Sequence, residues 1–206
     1  MNKFKINKIL LDMDGCLVNL QKGIDIYFES LGYSRDKTKI LTNDEMEGEY
    51  GMSSTLFWKL LDKSGHDFWA NLEPFYWALD LYNLCTRYCK NVTIMSTPSF
   101  DPYSAAGKIT WLNRHLNNGK AFRNYTLTCN KHLFATPDAL LIDDRFSVTD
   151  KFRDAGGQVF MIPQFYNQNV ANYEGDLFED AQEKLSQHQH KVIYEQLPAL
   201  LSKRCV

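Results

Sequence analysis

The sequence predicts an α/β fold, a Rossmann-like, doubly wound parallel sheet that carries an inserted helical cap. Runs of bulky aliphatic residues recur along the chain without polar alternation, which is typical of strands covered on both faces. Helical patterns separate these runs, and that order favours parallel βαβ units. About 80 residues separate the first two runs, whereas a parallel crossover needs only about a dozen. The excess predicts an insertion.

The first aliphatic run, Lys8–Leu11, ends in two acids, Asp12 and Asp14, with Gly15 directly behind them. In open α/β sheets, ligands bind beyond the carboxyl ends of the strands. Two acids there either bind a cation or divide nucleophile and acid–base roles between them, and glycine permits the sharp turn that follows. A strand that merely ends in an acidic turn is the alternative interpretation of this motif taken alone.

The insertion lies between the first strand and its crossover helix. Apolar residues recur with helical spacing from Leu20 to Leu31, and the crossover helix is predicted over about 74–90 with Pro74 in its first turn. Roughly 50 residues remain, too many for a structureless loop. The predicted division is a Rossmann-like catalytic core of residues 1–19 and 73–206 and a helical cap, called the cap segment below, of residues 20–72.

Further elements are predicted downstream. Strands are expected at 92–95, 125–128, 139–142 and 159–162, and helices at 104–118, at 149–154 and, as one or two helices, at 177–203. The strand at 92–95 ends in Ser96 and Thr97, and the strand at 139–142 ends in Asp143 and Asp144. Residues 164–172 have the polar composition of a loop.

Composition excludes some classes of function. The 23 basic and 25 acidic residues give a net charge of −2, which argues against an extended nucleic-acid track because such a track needs a basic stripe. Five cysteines, an odd number with irregular spacing, indicate reduced thiols in a cytoplasmic protein. The N-terminal apolar run is too short for a signal peptide or a membrane span, so no membrane partner is expected. A homodimer is left open.

Three strand ends therefore carry polar groups that a doubly wound sheet brings to one crevice. Four of these groups are carboxylates, and four acids in a partly dry site repel one another unless a cation lies among them. Oxygen donors without histidine favour Mg²⁺ over zinc. A lysine is expected nearby to neutralise a bound phosphate, with Lys108 and Lys131 as the two candidates.

The order of these motifs resembles the haloacid dehalogenase superfamily of phosphohydrolases. The resemblance covers residues 8 to about 163 and places the insertion where that superfamily carries its first type of cap. Closer similarity is to the 5′(3′)-deoxyribonucleotidases. Its motifs are Ser96-Thr-Pro-Ser, Pro102-Tyr-x4-Lys-x2-Trp111, Thr128-Cys-Asn-Lys131, Leu140-Leu-Ile-Asp-Asp-Arg145 and Phe68-Trp-Ala-Asn-Leu-Glu-Pro74.

The resemblance implies a Mg²⁺-dependent phosphomonoesterase that works through an aspartyl-phosphate. Asp12 would be the nucleophile and Asp14 the general acid and base. The phosphoryl oxygens would be bound by Ser96, Thr97 and Lys131. The metal would be held by Asp12, by the backbone carbonyl of Asp14 and by the Asp143/Asp144 pair. Lys108 is expected at the surface or behind the site rather than in contact with the reacting groups.

Some positions depart from the family pattern. Asn19 stands where the family often has an acid, and Cys16 replaces a small or β-branched residue. Cys129-Asn130 replaces an Arg-Asp pair, and Lys131 lies about two residues further from the Asp-Asp pair than in the family. These departures concern substrate details more than the phosphate chemistry.

Substrate choice is expected to come from the cap segment, which is rich in large aromatic rings. Trp58, Phe68 and Trp69 are predicted to contact the substrate, since a nucleobase stacks on such rings. The competing interpretation is that they form the core of the cap. A (deoxy)nucleoside monophosphate is thus the expected substrate. The alternatives are another small metabolite such as a sugar phosphate, or a non-catalytic phosphate-binding module.

Overall fold

The computed structural model of the chain describes residues 5–36, 46–167 and 178–205. Residues 37–45 of the cap segment and part of the loop expected at 164–172 lie outside the described residues. Within the described part, no helix is both long enough and apolar enough to cross a membrane.

In the described part of the chain, five parallel strands form one sheet, which confirms the predicted fold class. In chain order they are β1 (Lys8–Leu11), β2 (Val92–Ser96), β3 (Tyr125–Leu127), β4 (Ala139–Asp143) and β5 (Gln158–Met161). The spatial order is β3-β2-β1-β4-β5, so the chain leaves β1 toward one edge of the sheet and β4 toward the other. The β1/β4 gap is therefore the topological switch point. Both strands are buried along nearly their whole length.

The helices cover both faces of this sheet and form the cap segment. They are α1 (Leu20–Ser30), α2 (Ser54–Leu61), α3 (Gly65–Ala70), α4 (Ala78–Tyr88), α5 (Pro102–Leu116), α6 (Phe146–Asp154), α7 (Phe178–Lys191) and α8 (Leu197–Arg204). Short 3₁₀ turns accompany them at Met46–Tyr50, Asp62–Ser64, Lys131–Phe134 and Phe165–Asn167.

Helix α4 begins at Ala78, so the expectation that Pro74 lies in its first turn is wrong. Pro74 instead pairs with Val18 in an isolated antiparallel bridge. Two backbone bonds flank that bridge: Asn19 N–H donates to the Glu73 carbonyl at 2.9 Å, and Phe75 N–H donates to the Leu17 carbonyl at 2.9 Å. The extended backbone favoured around proline suits this pairing. We call these paired segments, 17–19 and 73–75, the stem of the cap segment.

Asn19 also begins helix α1, because its side-chain oxygen accepts a hydrogen bond from Lys22 N–H at 3.1 Å. An asparagine is among the favoured residues at this N-cap position, which accounts for Asn19 where the resemblance suggested an acid. Ile24 and Phe28 face the core as expected, but Leu31 is largely exposed, since the helix ends at Ser30.

The cap segment contacts the core most closely where α3 meets α5. A methyl group built on Gly107 would lie 2.5 Å from Trp69 Cβ and 2.6 Å from the His66 carbonyl oxygen. His66 Nε2 and Thr110 Oγ1 lie 2.9 Å apart, and Arg114 donates to the Ala70 carbonyl at 3.0 Å. A glycine in α5 thus permits close packing that fixes Trp69. The boundaries of the cap segment stay a prediction.

The C-terminal part of the chain completes the core. Helices α7 and α8 are joined by one π-helical turn, Val192–Gln196, in line with the expected one or two helices. Leu197 and Leu201 are fully buried in the main hydrophobic core. Ile6 N–H donates to the Arg204 carbonyl at 2.7 Å, so the end of the chain is tied back to its beginning.

Candidate active site

The strand ends β1, β2 and β4 bring the predicted polar residues together at one edge of the sheet. Asp12 follows β1 directly, Ser96 is the last residue of β2 and Asp143 the last of β4. The parallel register aligns Leu11 with Ile142, so Asp12 and Asp143 emerge side by side at the switch point. Both side chains are buried. Topology, rather than proximity in sequence, thus assembles the site.

Lys131 lies between two of these acids. Its Nζ is 2.6 Å from Asp12 Oδ1 and 2.7 Å from Asp143 Oδ2. Burial alone lowers the pKa of Lys131, but the carboxylates of Asp12 and Asp143 outweigh it and raise that pKa above its ordinary value. The lysine is therefore a permanent cation, and Asp143 holds it against Asp12. Asp143 also accepts a hydrogen bond from Arg145 N–H at 3.0 Å.

Asp144 follows strand β4 directly and is buried. Tyr166 donates its hydroxyl to Asp144 Oδ2, whereas Asp144 Oδ1 is buried with no hydrogen-bond partner among the described residues. Gly15 has φ +74°, and a methyl group there would lie 2.1 Å from Asp144 Oδ2. A side chain at position 15 would therefore collide with this carboxylate, which makes glycine necessary on two counts.

The geometry fits a hard divalent cation. Ligand atoms of Asp12, Cys16 and Asp144 all lie within 4.8 Å of one another. Burial raises the pKa of Asp12 and, together with neighbouring Asp143 and Asp12, the pKa of Asp144. Ionised acids in this place thus need further positive charge. Burial also raises the pKa of the Cys16 thiol well above its usual value, which leaves the carboxylate oxygens as the donors.

Lys108 does not lie at the surface, one of its two expected places; it lies behind Asp14 and does not line the cavity described below. The side chain is 0 % exposed, and its Nζ contacts Asp14 Oδ2 and lies 2.9 Å from Ser96 Oγ. The Trp69 ring is centred 5.1 Å from the same nitrogen. Helical periodicity places Lys108 on α5. The contact between Lys108 and Asp14 follows only from the position of α5 in the folded protein.

A cavity of about 410 Å³ opens above these groups, within the usual size range for small-molecule sites. Asp12, Asp14, Lys131 and Asp144 line its floor. Thr97 lines it too and is exposed, with its hydroxyl donating to the Thr128 carbonyl at 2.9 Å. Ser96, by contrast, is fully buried and does not line the cavity.

The aromatic lining differs in part from the expected set. Trp58 and Trp69 line the cavity, although Trp69 is almost fully buried. Phe68 does not; its ring packs within the cap segment, 5.0 Å from Trp69 and 5.7 Å from Tyr27. Three rings that sequence reasoning missed also line the cavity: Phe75, Phe100 and Tyr166.

Two of the missed rings carried a weak signal. Phe75 follows Pro74 in the stem, and Phe100 lies four residues after Ser96 in the loop beyond β2. Loops at the carboxyl ends of strands are where ligand contacts concentrate. Tyr166 gave no such signal, since the motifs that carry the family resemblance end before it.

Comparison with solved structures supports the fold that this site occupies. The phosphonoacetaldehyde hydrolase-like protein from Oleispira antarctica is 9% identical, with a TM-score of 0.54 over 99% of this chain and 96% of that one. A HAD family hydrolase from Deinococcus radiodurans R1, solved with bound phosphate and sodium, is 13% identical with a TM-score of 0.50 over 92% and 98% of the two chains. A haloacid dehalogenase-like hydrolase from Streptococcus pneumoniae is 19% identical, with a TM-score of 0.50 over 89% and 99%.

Fold and site together define a phosphatase of the haloacid dehalogenase superfamily. Within that class, the model of the family described as 5′ nucleotidase, deoxy (pyrimidine), cytosolic type C matches residues 5–185. The chain belongs to this family. No curated protein matches the chain. The family implies a small phosphorylated substrate and confirms the predicted resemblance and enzyme class.

Proposed function

We propose that the protein is a Mg²⁺-dependent phosphomonoesterase that hydrolyses (deoxy)nucleoside monophosphates through a phosphoaspartate on Asp12. The observation that carries this proposal is the composition of the cavity. Its floor holds Lys131 and three acids suited to a phosphate, with Lys108 buried against Asp14, and its walls carry the rings of Trp58, Phe75 and Phe100. A phosphate joined to a planar base fits both parts.

In the first half of the reaction, a carboxylate oxygen of Asp12 attacks phosphorus while the bond from phosphorus to the leaving oxygen breaks. Asp14 passes a proton to that oxygen, which makes it a better leaving group. Lys108 already holds Asp14 Oδ2, and Asp14 Oδ1 has no hydrogen-bond partner among the described residues. Oδ1 is thus the oxygen that exchanges the proton.

In the second half, water attacks phosphorus of the phosphoaspartate and Asp14 takes its proton. The bond from phosphorus to Asp12 breaks, so inorganic phosphate leaves and the Asp12 carboxylate is restored. Lys131, with Thr97 just beyond β2, binds the phosphoryl oxygens and stabilises their charge throughout. The buried Ser96 accepts a hydrogen bond from Lys108 instead.

Asp12 and Asp144 would hold the metal with the backbone carbonyl of Asp14, whereas Asp143 positions Lys131. The fit rests on the unpartnered Asp144 Oδ1 and on a donor set dominated by oxygen. When bound, Mg²⁺ neutralises the clustered carboxylates and the negative charge of the phosphoryl group.

The test is a screen of phosphate release over nucleoside 5′- and 3′-monophosphates and over ribose 5-phosphate, a sugar phosphate without a base. We expect higher kcat/KM for nucleotides, loss of activity in EDTA and recovery with Mg²⁺. Equal or better turnover of ribose 5-phosphate would favour the sugar-phosphate alternative. Full activity in EDTA would contradict the metal requirement. It would not bear on substrate choice, which the comparison with ribose 5-phosphate decides.

A further inference from the structure

The segment that follows β5 carries polar side chains that are buried beside the active site. Gln164 and Asn167 are only 8 % and 3 % exposed, and both lie at the 3₁₀ turn Phe165–Asn167. Buried amides are costly unless their hydrogen bonds are made. Their partners therefore show what this segment is built to hold.

Gln164 contacts the turn that directly follows the two catalytic acids. Its Nε2 donates to the Gly15 carbonyl at 2.6 Å, a bond across 149 positions of the sequence. Gly15 N–H donates in turn to the Val18 carbonyl at 2.9 Å. Gly15 has a positive φ and follows Asp14 directly, so both polar groups of the residue behind Asp14 are fixed by hydrogen bonds.

The same segment also holds Asp144. Asn167 Nδ2 donates to the Asp144 carbonyl at 2.5 Å and to the Ile162 carbonyl at 2.7 Å, while Asn167 Oδ1 accepts from Gln164 N–H at 2.9 Å. Tyr166 donates to the Asp144 carboxylate. Gln164 and Asn167 are thus parts of one network that reaches two of the three polar strand ends.

Helix α7 supports this network from behind. Gln189, 6 % exposed, donates from Nε2 to the Pro163 carbonyl at 2.8 Å and lies 3.3 Å from Gln164 Oε1. When Oε1 is held by Gln189, the amide of Gln164 is oriented with Nε2 toward Gly15. The chain of contacts therefore runs from α7 through Gln164 to the residue behind Asp14.

We propose that Gln164 and Gln189 are positioning residues that fix the Asp14 acid–base group through the Gly15 carbonyl. This inference rests on the proposed phosphatase mechanism, because it gives these residues the role of orienting the Asp14 carboxyl group. Loss of the Gly15 contact lets the turn shift, and Asp14 then transfers its proton less efficiently. This role gives the C-terminal part of the chain a function in the reaction as well as in the core.

The test uses a series of aryl phosphates with leaving groups of different acidity, from phenyl phosphate to 4-nitrophenyl phosphate, so it does not depend on nucleotide specificity. Gln164→Leu should lower kcat roughly 10- to 100-fold for phenyl phosphate and several-fold less for 4-nitrophenyl phosphate, because a good leaving group needs less protonation. Gln189→Leu should change kcat in the same pattern, about 3- to 10-fold. The double variant should resemble Gln164→Leu, since both act along one chain of contacts.

The matched control is Gln158→Leu. Gln158 donates its side-chain amide to the Pro137 carbonyl at 2.5 Å, a bond of the same type outside the cavity, and its loss should leave the leaving-group dependence unchanged. Equal loss of kcat on all aryl phosphates in Gln164→Leu and Gln189→Leu would overturn the proposal. If Gln164→Leu does not fold, Gln189→Leu and Gln164→Asn carry the same test. Inactivity of the wild type on every phosphate ester would instead refute the proposed function.

Discussion

Lys108 is a fully buried cation whose ammonium group contacts Asp14 and Ser96. Replacing it with methionine keeps the volume and removes the charge. We expect Lys108→Met to lower kcat for a nucleoside monophosphate by about 10²-fold, because Asp14 loses the group that orients it. The free energy of unfolding should also fall, since removing one partner of an ion pair leaves the charge of the partly buried Asp14 unpaired.

The measurement is steady-state kinetics together with thermal unfolding. Lys120→Met is the control, because Lys120 lies exposed just beyond α5. If the two variants had the same kcat, Lys108 would be a structural residue only.

Phe100 lines the cavity although its side chain is 88 % exposed. Such exposure is expected of a ring that stacks on a ligand rather than on the protein. Phe100→Ala should raise KM for a nucleoside monophosphate about 5- to 10-fold, which matches the lower end of base–ring stacking energies. KM for ribose 5-phosphate should stay near its wild-type value, because that substrate has no base.

Tyr103→Ala provides the comparison, since Tyr103 is also a largely exposed ring nearby in the sequence but does not line the cavity. The stacking hypothesis fails if Phe100→Ala affects both substrates alike. Trp69→Ala is a less specific test, because Trp69 packs on Gly107 and Lys108.

Cys129 is an exposed thiol in the cavity lining, whereas Cys16, Cys85 and Cys89 are buried and Cys205 is half-buried. Iodoacetamide should therefore alkylate Cys129 first, and activity should fall at the rate of that modification because the adduct narrows the cavity. Peptide mass spectrometry measures the rate of Cys129 alkylation, and an activity assay on the same samples measures the rate of inactivation. Inorganic phosphate should slow both the alkylation and the inactivation. Cys129→Ser should resist inactivation, and its loss of activity at the wild-type rate would place the sensitive thiol elsewhere.

At this scale, sequence reasoning could predict residues that belong to a strand end but not those that depend on how helices pack. Asp12 and Asp144 could be predicted from the sequence because the carboxyl ends of parallel strands lie at one edge of the sheet. Phe68 was expected in the cavity and Phe75 was not, although both are rings near the return from the cap segment. The two rings differ in the direction in which they leave the backbone, and composition does not determine that direction.

The contact between α3 and α5 depends on Gly107. In an ordinary exposed helix, Gly→Ala is stabilising by about 0.5–1 kcal/mol. Here the added methyl would lie 2.5 Å from Trp69 Cβ and 2.6 Å from a backbone oxygen, so overpacking should dominate. Gly107→Ala is expected to destabilise the protein by about 1–3 kcal/mol.

Urea unfolding of Gly107→Ala tests the sign of this effect. Ala106→Ser, at an exposed position of the same helix, should change the free energy of unfolding by less than about 0.5 kcal/mol. A Gly107→Ala variant more stable than wild type would show that α3 and α5 do not approach as closely as described.

Among the elements, strands were easier to predict than helix ends. The five strands lie within two residues of their expected positions because continuous aliphatic runs leave few alternatives. The start of α4 was misplaced by about four residues, since Pro74 is as suitable for a bridge in the stem as for a first helical turn. Pro74 lies in the stem because it pairs with Val18, which is 56 positions away in the chain.

Across the whole molecule, the C-terminal helix α8 is part of the main core rather than an appendage. Leu201 is fully buried there, while Leu133 is 73 % exposed. We expect Leu201→Ala to reduce the free energy of unfolding by roughly 2–5 kcal/mol, as for other large-to-small core substitutions. Leu133→Ala should remain within about 0.5 kcal/mol of wild type.

Chemical denaturation of both leucine variants measures this difference. Similar stabilities would mean that α8 detaches from the core in solution. Sequence reasoning predicted helices in this region but no role for them, because an amphipathic pattern does not identify the surface that it covers. The buried Gln189 on α7 shows the same limit, since its partners are backbone groups around β5.

The stem imposes a simple rule on the cap segment. Asn19 and Glu73 are joined by a backbone hydrogen bond, and Val18 pairs with Pro74, so the chain leaves the sheet edge and returns to it at one point. The entropy of closing such an excursion grows only with the logarithm of its length, by about 0.6 kcal/mol for each doubling. Residues can therefore be gained, lost or exchanged beyond the stem while Asp12 and Asp14 keep their places. Selectivity for the leaving group can diverge quickly in such a scaffold, while the phosphate-handling end is inherited unchanged.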